Sequence, residues 1–374
     1  MLKMNVSVLP ARFSSELLNW WLEHKRDLPW KKSTDPYKVW VSEIILQQTR
    51  VEQGKKYFDR FLTVFPTIDI LASAPEELLL KTWEGLGYYN RARNMHFTAK
   101  YLVEQNQGAF PTTIQELSQL KGIGPYTAAA IASFSFGLPH PVIDGNVLRL
   151  ISRVLGITSD IQQPATVKEI QQFLEKAIEF AVPEDFNQAL MDFGSLQCTP
   201  GRPNCQVCVL SEYCRAFQEE KTTEIPVKKK KQPLVKRYFH FLDIECEDGH
   251  TLIQQRTSGE IWPRLFQLPL IETAQEYILR KEDFDGLMFS ITGQTTPALS
   301  TYPLIAKSSQ VLSHQKIYGN FYKLKVNKLN IIKNTDLYLV EREKVSKFAF
   351  PKLVSEYIRS NAYSNGLSMA ESGE

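Results

Sequence analysis

The chain has 374 residues, 43% of them hydrophobic, and a net charge of +3. That length predicts two or three domains with sizeable cores, and no apolar run reaches the roughly 18 residues that span a membrane. So small a charge makes no bulk electrostatic case for a nucleic-acid partner, and any such binding rests on local patches and backbone amides. The N-terminal stretch lacks a long apolar core and a small-residue cleavage site, so a signal peptide is not expected and the thiols should stay reduced in the cytoplasm.

Residues 1–216 read as mostly helical. Phe13, Leu17, Leu18 and Trp21 recur at helical spacing, as do Tyr37, Trp40, Val41, Ile44 and Ile45. Glu43 falls inside the second run, with Val39, Trp40, Leu46 and Gln47 as its helical neighbours. Burial against that surface disfavours the ionised carboxylate, and an acid still protonated near neutral pH can donate a proton in catalysis. A glutamate paired with Arg91 or Arg93 is the plainer alternative.

Further helices are predicted over 75–81, 90–104, 113–120, 126–134, 147–155, 167–180 and 186–196, punctuated by Pro66, Gly108, Pro111, Gly137 and Pro139. LKGIGPYTAAAIASF, Leu120–Phe134, places a glycine turn between two of them. Gly122 and Gly124 allow a sharp turn and close approach, Pro125 suits a first helical turn, and outward amides there would hold one phosphate. An ordinary helix–helix corner would look similar. Asp144 directly precedes a helix and reads as its N-cap. Capping amides would fix this side chain and keep it ionised. A buried acid and a fixed carboxylate are the pair that glycosidic bond cleavage needs.

Four of the five cysteines crowd into 17 positions as C-x6-C-x2-C-x5-C: Cys198, Cys205, Cys208 and Cys214. A reducing compartment argues against disulfides. Structural zinc usually takes two close pairs of ligands, whereas uneven short spacings can wrap a cubane, so the pattern favours a four-iron cluster while zinc remains open. Cys246, in a predicted strand, reads as a packing residue.

The segment 217–236 is charged, holds two prolines and reads as a linker. Within it Lys228–Lys231 could touch phosphates or form a solvated connector. From Tyr238 the pattern is β: YFHFLDIEC, a turn at Asp248-Gly249 and TLIQQR form a hairpin, and FYKLKVNKL is another strand. Pro351–Ile358 suggests a terminal helix before a flexible tail, 361–374. The region 237–360 is therefore expected to be a separate α+β domain.

SEIILQQTRV, WEGLGYYNRARN, LKGIGPYTAAAI, VIDGNVLRL and the four-cysteine pattern, in that order, resemble the adenine DNA glycosylases of the MutY family, within the helix-hairpin-helix DNA glycosylase superfamily. The resemblance is strong over residues 8–216 and weak beyond. It implies a mostly α N-terminal region, a six-helix module plus an iron–sulfur module whose loop 198–214 carries one four-iron–four-sulfur (4Fe-4S) cluster. It also implies a C-terminal α+β Nudix-like (MutT-like) domain. The implied activity is hydrolysis of the N-glycosidic bond of adenine mispaired with 8-oxoguanine or guanine in double-stranded DNA, for base-excision repair. The enzyme would act as a monomer in the cytoplasm, at the nucleoid if bacterial. A related glycosylase for another base, or a non-catalytic iron–sulfur DNA-binding protein, is the alternative.

The resemblance also implies roles. Glu43 would protonate adenine and Asp144 stabilise the sugar cation, with Tyr126 and Asn146 positioning them. Arg26, Trp30, Lys31 and Gln188 would line the adenine pocket. Gln48, Thr49, Leu86, Gly87 and Tyr88 would fill the gap left by the flipped base and wedge the opposite strand. Lys121, Gly122, Gly124 and Arg202 would meet phosphates. Tyr126 stands where bifunctional relatives carry a nucleophilic lysine, so strand cleavage through a Schiff base is not expected. ETAQEYILRKEDFDG lacks the R-E-x-x-E-E-x-G order of a working Nudix helix, so nucleotide hydrolysis is not expected either. Ser313 and His314 would read 8-oxoguanine, although Leu312 replaces the aromatic residue usual before them.

Overall fold

A computed structural model describes residues 8–228, 233–257, 261–293, 302–327, 329, 331 and 336–361. They divide into two compact units, one of residues 8–73 and 94–228, the other of 74–93 and 233–361.

The first unit is helical, as its periodicity predicts. Its helices are α1 (Leu9–His24), α2 (Pro36–Leu46), α3 (Val51–Val64) and α4 (Ile68–Ser73), with α5 (Glu76–Thr82) assigned to the second unit. There follow α6 (Asn90–Asn106), α7 (Ile114–Gln119), α8 (Pro125–Phe136), α9 (Gly145–Leu155), α10 (Pro164–Ile178), α11 (Pro183–Leu196) and the short α12 (Arg215–Gln218). Proline opens α2, α8, α10 and α11, where its missing N–H costs no helical hydrogen bond. The α8 run is apolar on every side, and Thr127–Phe134 are all buried; such a helix belongs in a core. It packs on α2, while α1 packs on α10 and α11. Phe13, Leu17, Leu150, Leu174, Phe186 and Phe193 build one core of this unit.

In the second unit β1 (Val235–Cys246), β2 (His250–Gln255), β3 (Phe266–Gln267), β4 (Leu270–Thr273), β5 (Leu304–Val311), β6 (Gln315–Val326) and β7 (Leu337–Glu341) form one sheet, with α13 (Lys281–Thr292) and α14 (Lys352–Ser360). The order is β3-β2-β1-β6-β5, with β4 on β1 and β7 on β2. β1 runs parallel to β6 from Val235↔Gln315 to Cys246↔Val326. Its residues Phe239–Ile244 are all buried, because each face of the sheet is covered. Phe239, Phe241 and Phe321 pack with Leu353, Val354 and Tyr357 of α14, and Leu242, Ile244 and Tyr322 with Phe284, Met288 and Ile291 of α13. Two covered faces require a mostly apolar strand, and the buried polar members have partners, His240 with Thr273 Oγ1 at 3.1 Å and Asp243 with Tyr357 Oη at 2.8 Å.

Two boundaries differ from expectation. Residues 74–93, expected within the catalytic region, belong to the second unit. Tyr89 Oη donates to Phe350 O at 3.0 Å, Phe350 N to Glu84 Oε1 at 3.1 Å, and Lys81 Nζ to Phe348 O at 3.0 Å. The segment 217–236 is not a free linker along its described length. α12 covers its start, Ile225 is 1% exposed, and Ile225 O accepts from Arg153 Nε at 2.9 Å. One apolar side chain and a bonded carbonyl anchor it despite the surrounding charge. Most of Lys228–Lys231, and the tail beyond Asn361, lie outside the described residues.

Candidate active site

Glu43 faces inward from α2 and is only 6% exposed. Its helix is bracketed by the Asp35 cap and Pro36 at one end and by a left-handed Gln48, φ +60°, just past the other. Burial pushes the Glu43 carboxyl up to about 7; a hydrogen bond from Tyr126 opposes this, and the negative charge of Asp144 adds to it. Tyr126, on the first turn of α8, has its phenol raised well above the ordinary range by burial and then by Glu43, so it stays a donor. Glu43 thus has Tyr126 and Asp144 as partners in place of an arginine.

Asp144 is the N-cap of α9. Its carboxylate accepts from Asn146 N at 2.8 Å, Asn146 Nδ2 at 2.8 Å and Val147 N at 2.7 Å. Arg149, one turn on, donates to Asn146 Oδ1 at 3.1 Å and to Cys198 O at 2.9 Å. Arg153, a turn further, reaches Cys198 Sγ at 3.4 Å and Thr199 O at 2.8 Å. One face of α9 therefore runs from the Asp144 carboxylate to the cysteine loop.

Trp30, Lys31, Glu43, Glu184 and Gln188 line one cavity, with Val39 and Phe134. Trp30 also stacks edge-on with Phe58, so it is pocket wall and core at once. Gln188 is 7% exposed, and its Oε1 has no hydrogen-bond partner among the described residues. Arg26 does not line the cavity. It is tied instead to Asp192, one turn beyond Gln188 on α11, with Nε to Oδ1 at 2.7 Å. Lys31 Nζ meets the other Asp192 oxygen at 2.7 Å.

The glycine turn precedes α8 as expected. Gly122 has φ +83°, and a Cβ there would lie 2.6 Å from Asn94 Cβ, so only glycine fits without displacement. Gly124 caps α8, and Thr98 Oγ1 donates to Lys121 O at 2.7 Å. Thr49 closes the turn after α2. Leu86, Gly87 and Tyr88 lie in the second unit, in a turn where Gly85, Gly87 and Tyr88 all have positive φ. There Tyr88 Oη is 3.2 Å from Ser313 Oγ. Ser313 and His314 form the exposed tip of the β5–β6 hairpin, closed by Leu312 N to Gln315 O at 2.8 Å.

Cys198, Cys205, Cys208 and Cys214 line a single cavity. Burial pushes the Cys208 thiol up to about 12 and Cys214 to about 11, so thiolates here need the positive charge of metal ions. Among the described residues no three His, Cys, Asp or Glu side chains converge on one point. A ring around a cavity suits a cubane, with one thiolate per iron, better than a single zinc ion. Arg202 is exposed on the loop between the first two cysteines.

Residues 41–179 match the family model of the HhH-GPD superfamily base excision DNA repair proteins. Residues 198–214 match the iron-sulfur binding domain of endonuclease III. An adenine DNA glycosylase of Buchnera aphidicola (from Schizaphis graminum) is 40% identical over 70% of this chain and 75% of its own length. The chain belongs to the adenine DNA glycosylase family. The human adenine DNA glycosylase is 40% identical over 55% of this chain and 39% of its own length. A second Buchnera relative, at 34%, spans 87% of this chain and 89% of its own. Among solved structures, a thermostable thymine-DNA glycosylase aligns with a TM-score of 0.53 at 27% identity, over 57% of this chain and 99% of that one.

This glycosylase is thus a base-excision repair hydrolase acting on DNA, and it carries an endonuclease III-type 4Fe-4S site. No described helix is long and apolar enough to cross a membrane. Sequence reasoning missed Asp192, Glu184, Arg149 and Arg153. Only the lone acid in the apolar run FNQALMDFG offered a signal.

Proposed function

We propose that this glycosylase excises adenine opposite 8-oxoguanine or guanine by a monofunctional route, as a monomer acting on DNA in the cytoplasm. The observation that carries the reading is the Glu43 carboxyl, buried, raised to about 7 and adjoining Tyr126 and Asp144. A stacked adenine cannot reach that group, so the nucleotide must first leave the helix. The cavity of Trp30, Lys31 and Gln188 would receive the base, with the free Gln188 oxygen facing its edge. Protonated Glu43 gives its proton to adenine N7, and the base departs neutral. Positive charge develops on the sugar, and the anchored Asp144 carboxylate stabilises it or traps it covalently. Glu43, now a base, activates the water that completes hydrolysis.

Tyr126 donates a hydrogen bond to Glu43 and cannot form a Schiff base, which supports an abasic product with an intact strand. Gln48, Thr49, Leu86, Gly87 and Tyr88 would hold the opened duplex, while Lys121, Gly122 and Gly124 grip phosphate. Cys198, Cys205, Cys208 and Cys214 would hold the cluster, which would cross-link the loop that offers Arg202 to DNA. Ser313 and His314, at an exposed hairpin tip, would read 8-oxoguanine.

The test is adenine release from duplexes with adenine opposite 8-oxoguanine, guanine or thymine. Release from the first two without strand scission is expected, and Glu43→Gln and Asp144→Asn should abolish it. An unchanged rate in folded Glu43→Gln overturns the mechanism.

A further inference from the structure

We propose that Asp192 is a positioning residue of the excision reaction, holding Lys31 so that the ammonium on the cavity wall shared with Glu43 is paired with a carboxylate. The inference rests on the reading of Glu43 as the acid. Asp192 is fully buried, on the turn of α11 after Gln188. Its oxygens accept from Arg26 Nε at 2.7 Å, Lys31 Nζ at 2.7 Å, Trp21 Nε1 at 3.0 Å and Arg26 N at 3.3 Å. These donors come from the end of α1 and the segment after it, the stretch that delivers Trp30 and Lys31 to the cavity. One carboxylate therefore fastens the base-pocket wall to the helix bearing Gln188 and Glu184.

The charge matters as much as the tether. Lys31 and Glu43 line the same cavity. An ammonium left free there would favour ionised Glu43 and remove the proton that excision spends. Among the described residues, Tyr126 from α8 and Asp144 from the cap of α9 act directly on Glu43, while Lys31 from the Pro29–Lys32 turn and Glu184 from α11 share its cavity. Lys31 in turn faces Asp192 and Arg26. Asp192 is the group that balances Lys31, and burial holds the Lys31 ammonium below its ordinary range against that pairing.

The experiment is single-turnover adenine release across pH for the holoenzyme and its variants, with circular dichroism and cluster absorbance as checks on folding. Asp192→Asn is expected to shift the alkaline limb of the profile down by about one pH unit. Asp192→Glu keeps the limb in place. Adding Lys31→Met to Asp192→Asn moves it back up. Lys31→Met alone moves the limb above its native position, a readout that stands even if Asp192→Asn does not fold. A limb unmoved in folded Asp192→Asn overturns the proposal, as does a shift that Lys31→Met leaves unaltered, or an unmoved limb in Lys31→Met alone. A Glu43→Gln protein that still releases adenine sinks the assignment of the acid instead, whatever the Asp192 variants do.

Discussion

Glu43 is set against the stability of its own fold. In an unfolded chain its carboxyl ionises at the ordinary value of 4.5, but in the folded protein at about 7, because burial outweighs the Tyr126 hydrogen bond. Below the lower value both states are protonated and the site costs nothing. Between the two, folding must take up a proton, so this group's contribution to stability is lost as pH rises towards 7. Glu43→Gln removes that cost. We expect the variant to lose excision yet to be more stable than the native chain at pH 8, by an amount on the order of 2 kcal/mol, and little changed at pH 4. Urea unfolding at the two pH values checks this, and equal shifts at both would refute the burial argument. Glu43 was legible in the sequence because its helical neighbours are apolar. Asp192 was not, since a carboxylate in an apolar helix tells nothing of which distant cations meet it. Arg26 and Lys31 were read as pocket residues, but the structure engages both with Asp192 and leaves only Lys31 on the cavity.

Helix α9 joins two chemistries through one side. Its N-terminus holds Asp144, its second turn Arg149 and its third Arg153, and both arginines reach Cys198. The cap was legible, because an aspartate before Gly-Asn-Val at the start of an amphipathic run has few other uses. The arginines look in sequence like the polar side of any surface helix, and only the fold turns them towards the cysteine loop. Cap and reaction can be separated. Asp144→Asn keeps a capping oxygen, so its unfolding midpoint should stay near native while excision is lost. Asp144→Ala should lose excision and also about 1 kcal/mol of stability. If Asp144→Asn is as unstable as Asp144→Ala, charge rather than capping holds the end of this helix. At the same scale, the buried run of β1 was legible as a strand, but its parallel pairing with β6 was not, because the partner lies some 80 residues on and β1 also pairs antiparallel with β2 and β4.

For the whole molecule, grouping in space does not follow order along the chain. Sequence punctuation suggested a cut near residue 217, yet residues 74–93 sit with the C-terminal sheet. A chain ended after residue 228 would keep the Glu43 cavity but lose the backbone partners of Lys81, Glu84 and Tyr89. Limited proteolysis should then cut it first within 74–93, a stretch that resists in the intact protein. Uniform cleavage elsewhere would contradict this. The same unit carries the proposed lesion reader. With Tyr88 Oη already 3.2 Å from Ser313 Oγ, the double variant Ser313→Ala, His314→Ala should lose the preference for 8-oxoguanine over guanine while still releasing adenine. Unchanged discrimination would refute that role.

The early placement of residues 74–93 also constrains the timing of folding. During synthesis this stretch emerges some 270 residues ahead of Phe348 and Phe350, which bond to it. At about 5–20 residues per second, Lys81 and Tyr89 must wait on the order of 10–50 s for these partners. Over that interval the nascent chain is most exposed to chaperones and to misassembly.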